Sequence, residues 1–164
     1  MANILLAPQL RLVKVDNATG LVELLVKYTV FFEDFELEQH QDYFESVFLF
    51  SSDAGDVPPV PDVLPSGPPQ QSPNYVGQFP QRRFKCSSNV ELQDTHGHVR
   101  RRLEGHALTC EVTGKLAKGQ LDEDKPTPFD PVGVDEIFAI VKVRPLVPAA
   151  TEKKSDLLRV ALGT

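Results

Sequence analysis

Among residue types that bind transition metals or move protons, the chain offers His96 and His98, separated by Gly97, with His106, Cys86 and Cys110 further off. On a strand, a period of two would set His96 and His98 on one side, within reach of a single ion. Gly97 instead suggests a turn, and neither Cys-x-x-Cys nor His-Glu-x-x-His spacing is present. Turn histidines are therefore the expectation, with a transition-metal pair at His96 and His98 as the alternative. The same three histidines would supply the acid or base of any enzymatic reaction. Cys86 and Cys110 are expected as buried free thiols on the inward faces of neighbouring strands, behaving as small apolar residues. A disulfide is the second choice, and a nucleophilic role would need a basic partner and an exposed site.

A second set is acidic. Asp122, Glu123, Asp124, Asp130 and Asp135, with Asp53 and Asp56, could form a calcium cup at one end of the molecule, because calcium wants six to eight oxygens. No calcium-loop spacing with its glycine is evident, so solvated loops are expected and Asp122, Asp124, Asp130 and Asp135 stand as the calcium candidates. No phosphate-cradling glycine loop and no nucleophile elbow occurs, so no cofactor is expected. Arg100, Arg101 and Arg102 in a strand would alternate and could not form a one-sided comb on phosphates. Charges protecting a sheet edge are the expectation for them. Pro58 and Pro61 have the spacing of a polyproline ligand but lack a basic anchor nearby, which favours a passive loop.

Charge is segregated along the chain. Net charge is −6, which argues against general nucleic-acid binding. From Tyr28 to Gln81 nine acids stand without a single Lys or Arg, whereas Arg82, Arg83, Lys85 and Arg100 to Arg102 meet only Glu91 and Asp94. Opposed segments of this kind make contact with a protein partner or with a second copy physically reasonable.

The elements that must position these residues are strands. Val22, Leu24, Val26, Tyr28, Val30 and Phe32 put six apolar side chains on one face, opposite Glu23, Lys27, Thr29 and Glu33. Before it, Gln9 to Val15 reads as a strand whose alternation changes phase at Leu12-Val13, a sign of a bulge or an edge. Asp16 to Gly20 supplies the hairpin turn. Tyr43 to Ser51 is apolar on both faces and should be central. In 51–80, fifteen of thirty residues are Pro, Gly or Ser, so a long loop inserted in the domain is expected. One strand is expected through Phe84, Cys86, Ser88, Val90 and Leu92, then a turn at Asp94 to Gly97. A further strand runs from Val99 to Cys110 or Val112, broken near Gly105. Gly114 to Pro131 reads as a loop, and Glu136 to Arg144 as the last strand.

About seven short strands with no long helix point to an all-β, antiparallel β-sandwich. The acidic stretch Leu121 to Asp124 followed by the buried strand Asp135 to Val141 resembles the ends of immunoglobulin-like or fibronectin-like sandwiches. The resemblance covers architecture alone, since the Cys-Trp-Cys signature needs a tryptophan and the chain has none. A single domain is expected over 1–147, with a tail at 148–164 that is either a docking segment or disordered. At this length a domain buries roughly 70% of its unfolded surface and folds without a staple. With no basic residue before the short apolar run that Pro8 ends, and no apolar stretch of about 20 residues, neither a secretory signal nor a membrane span is expected. A cytoplasmic location is the default, and a mature secreted chain or a virion component fits equally. The expected function is a non-catalytic interaction or structural module that self-associates or binds another protein. The alternatives are a sandwich binding calcium, carbohydrate or a membrane surface, and an enzyme using His96, His98 or His106.

Overall fold

The computed structural model describes residues 2–51, 74–121, 135–146 and 151–162. The period-two face that starts at Val22 becomes strand β2 (Leu21–Phe31), and its inward residues Val22, Leu24, Val26 and Val30 are fully buried. β2 pairs with β1 (Gln9–Asp16) across the Asp16 to Gly20 turn, whose carboxylate accepts hydrogen bonds from the Ala18 and Thr19 amides. The register shifts between Leu12 and Lys14, where the phase change predicted a bulge.

A short helix α1 (Asp34–Glu38) follows, in a stretch expected as plain connection. Glu33 and Glu36 close a capping box at its start. β3 (Asp42–Ser51), β4 (Tyr75–Gln78), β5 (Arg82–Lys85), β6 (Val90–Asp94), β7 (Gly97–Glu104) and β8 (Ala107–Ala117) come next. They are followed by a helical turn α2 (Lys118–Leu121), then β9 (Asp135–Pro145), β10 (Thr151–Lys154) and β11 (Leu158–Val160).

The strands make two antiparallel sheets, one in the order β1-β2-β8-β7-β6 and one in the order β10-β9-β3-β4. β5 also pairs with β3, and β11 with β9. Their inner faces meet in one core, where Leu24, Val26 and Leu108 of the first sheet join Leu49, Ile137 and Val141 of the second. Each such side chain contributes roughly 1.5–3 kcal/mol on leaving water. β3 and β9 are interior strands and apolar on both faces, as their composition predicted. Their outer face carries a second cluster of Phe50, Phe138 and Ile140, all 1–2% exposed, with Phe48 and Tyr75 against it.

Several expectations are corrected. The described residues contain eleven strands rather than about seven, and one of them, β4, lies within the stretch 51–80 expected as a loop, where it pairs with β3; residues 52–73 of that stretch lie outside the described residues. The stretch from Phe84 to Leu92 is two strands in different sheets, joined by a turn at Cys86-Ser87. The break near Gly105 is a complete hairpin turn between β7 and β8. β8 continues through Gly114, and a clash explains why glycine stands there: a Cβ at that position would sit 2.2 Å from the Phe79 ring. β9 is not the last strand, because β10 and β11 pair with it within the tail. Arg100 to Arg102 do not protect an edge, since β7 lies between β8 and β6.

Candidate functional site

The residues singled out for metal chemistry lie apart. Thr95 and His96 form the two-residue turn between β6 and β7, with the His96 and Gly97 amides donating to Asp94 Oδ1 at 2.8 and 3.0 Å. His98 belongs to β7, and its Nε2 is 3.6 Å from the Glu91 carboxylate. His106 is at the far end of β7, in the next hairpin turn, with Nε2 2.5 Å from Asp34 Oδ1. No group of three or more His, Cys, Asp or Glu side chains able to hold a metal occurs among the described residues. Asp122, Asp124 and Asp130 lie outside the described residues, as do Glu123, Asp53, Asp56 and Pro58 to Pro61. Asp135 opens β9, opposite Val160.

Both cysteines are free and buried. They are not on neighbouring strands: Cys110 is on β8 of the first sheet, and Cys86 is in the turn after β5 of the second. Burial pushes the Cys110 thiol up to about 11 and raises that of Cys86, so both stay protonated at neutral pH.

What the fold does bring together is a polar stack in the core. Arg101 on β7 makes two parallel hydrogen bonds of 3.0 Å to Glu45 on β3, so the pair joins the two sheets. The Tyr28 hydroxyl on β2 donates to the same carboxylate, and the guanidinium lies 4.3 Å from the Phe84 ring centre. Burial and the neighbouring Glu45 carboxylate hold Tyr28 well above its usual value. For Arg101, burial works against the charge, but Glu45 and Tyr28 more than offset it. Phe84 stacks in turn on Tyr43, whose hydroxyl donates to Glu36 of α1.

Over this stack the sandwich opens into a groove of about 520 Å3 between β5 and β6. Phe84, Val90, Leu92 and Val99 form its floor, and Arg82, Arg83 and Lys85 its rim. One end is spanned by the Arg82–Asp94 ion pair at 2.9 Å, which ties the second sheet to the first. At the other end the chain itself crosses from β5 to β6. Arg83 and Lys85 share one carboxylate, Asp42, at 2.7 and 3.3 Å, while remaining 59% and 53% exposed. Chemically this is a surface for carboxylates above and apolar side chains below.

The outer face of the first sheet is different in kind. Cross-strand register sets Lys27 opposite Glu111, Glu111 opposite Arg100, and Arg100 opposite Glu91, a ladder of alternating sign. Of these charges Lys27 and Glu111 form an ion pair at 3.3 Å, while the Arg100 Nε is buried without a hydrogen-bond partner among the described residues.

The chain matches no known family model, and comparison with curated proteins and with solved structures finds no significant match. Among the described residues no helix is long and apolar enough to cross a membrane.

Proposed function

We propose that this chain is a non-catalytic interaction module, a sandwich of immunoglobulin-like or fibronectin-like architecture that works by contact with another protein or with a second copy of itself. The groove between β5 and β6 carries this reading. It combines a half-open apolar floor, with Leu92 40% exposed, and cations that share too few carboxylates. On the outer face of the first sheet, cross-strand register already sets charges of opposite sign against each other, whereas the groove sets exposed cations beside an open apolar floor, and a partner covering it gains from both. Buried apolar area with polar groups at its rim is the usual anatomy of an interface.

A photo-crosslinking residue placed at Leu92, compared with one at exposed Lys115 on the opposite face, tests the reading in cells of the source organism. Adducts of defined mass are expected from position 92 and not from 115. Their absence at 92, together with a monomer by light scattering at every concentration in low and high salt, would sink it.

A further inference from the structure

We infer that the groove takes a short, extended, acidic segment of a partner polypeptide, laid beside β6 as an added strand. The inference rests on the interaction-module reading and names the chemistry of the partner.

Three observations support it. The first is a free strand edge: β6 ends its sheet and has β7 as its one neighbour among the described residues. β5, facing it from the other sheet, pairs among the described residues with β3 alone. An unpaired row of backbone donors and acceptors is a template for another strand.

The second is charge. One Asp42 carboxylate serves both Arg83 and Lys85, and both side chains remain more than half exposed. An incoming carboxylate would complete these shells with charge-assisted hydrogen bonds, whereas a basic or neutral segment would not. A second copy is the poorer occupant, because two molecules of net charge −6 repel each other within a Debye length.

The third is shape. The four residues of β5 span roughly 13 Å at about 3.3 Å per residue, so the groove holds a stretch of about four extended residues. Extended chain alternates its side chains. Acids at every second position meet Arg83 and Lys85, while the apolar residues between them reach Leu92 and Val90 on the floor.

The test uses the full chain and three fluorescein-labelled peptides that alternate valine with aspartate, with serine or with lysine. Binding is read by fluorescence anisotropy and mapped by backbone amide NMR shifts. The aspartate peptide should bind, with shifts confined to β5, β6 and the turn between them. Raising salt should weaken it. Replacing both rim cations (Arg83→Gln with Lys85→Gln) should cost roughly tenfold or more in affinity, with an unchanged melting temperature confirming the fold. N-methylation of alternate backbone amides of the peptide should abolish binding in one of the two registers.

Equal binding of the serine peptide, or no effect of the double substitution, overturns the acidic partner while leaving the interaction module standing. Survival of binding in both N-methylated registers overturns strand addition. If no peptide binds and light scattering finds a dimer that Leu92→Asp dissociates, the occupant is a second copy and this inference is wrong. No peptide binding and no dimer removes the inference, and crosslinking at Leu92 then decides the module reading by itself.

Discussion

Arg101 and Glu45 face each other across the core of the sandwich, 2% and 1% exposed, joined by two hydrogen bonds of 3.0 Å. One belongs to β7 and the other to β3, so the pair fixes the lateral registration of the two sheets as well as neutralising two buried charges. The desolvation cost of such a pair is large and is offset only by good geometry and additional hydrogen bonds. Tyr28 supplies one of these, and the Phe84 ring covers the guanidinium.

Breaking this pair from one side should therefore cost far more than replacing it. Arg101→Met or Glu45→Leu alone leaves an unpaired buried charge and should lower the unfolding free energy by about 3–5 kcal/mol. The double substitution should cost much less than the sum of the two, and a neutral result is within expectation. Urea titrations of the four proteins give the coupling directly. Additive losses would mean that the two charges do not depend on each other.

The same pair shows where sequence reasoning stops. β2 was legible because a half-buried strand writes its burial directly as alternation, and Leu12-Val13 was legible as a break in that alternation. Arg101 and Glu45 also stand in the inward phase, beside Val99 and between Tyr43 and Val47. Their positions were visible, but a charge at an inward position signals its partner only once the strands have been assigned to sheets. The groove was hidden for a related reason. Phe84, Cys86, Ser88, Val90 and Leu92 keep one phase, which reads as a single strand. A chain that crosses from one sheet to the other still points the same residues at the shared core, so the crossing leaves no mark on the pattern. β10 is written Thr-Glu-Lys-Lys and carries almost no apolar signal, because it is held to β9 through backbone pairing.

Gly97 should be the least replaceable residue of the β6–β7 turn. Its φ is +140°, and an added Cβ would lie 2.5 Å from the Thr113 backbone oxygen, an atom held within β8. Gly97→Ala should cost roughly 1–3 kcal/mol from the backbone conformation and a similar amount from the clash. Gly105, in the next turn, has φ +60°, and a methyl group added there would meet nothing within 4 Å, so Gly105→Ala should cost only about 1–2 kcal/mol. Chemical denaturation of both variants checks the order. A smaller loss at Gly97 than at Gly105 would contradict the packing described for this turn.

Asp94 holds the end of the groove shut, and its pH dependence follows from its partners. The Arg82 guanidinium, followed by the His96 amide, lowers its carboxyl from the ordinary 3.8 to about 2. A carboxyl depressed in the folded state contributes stability above its ordinary value and loses it as pH falls through the folded value. Asp94→Asn keeps an oxygen for the His96 and Gly97 amides and removes only the charge. The wild-type protein should therefore melt higher than Asp94→Asn by a constant margin from neutral pH down to the ordinary carboxylate range. That margin should close as pH approaches 2, and added salt should narrow it throughout, because the side chain is 37% exposed. Melting temperatures of the two proteins across this pH range decide it. A margin that persists unchanged at the acid end would show that the Arg82–Asp94 ion pair does not brace the groove.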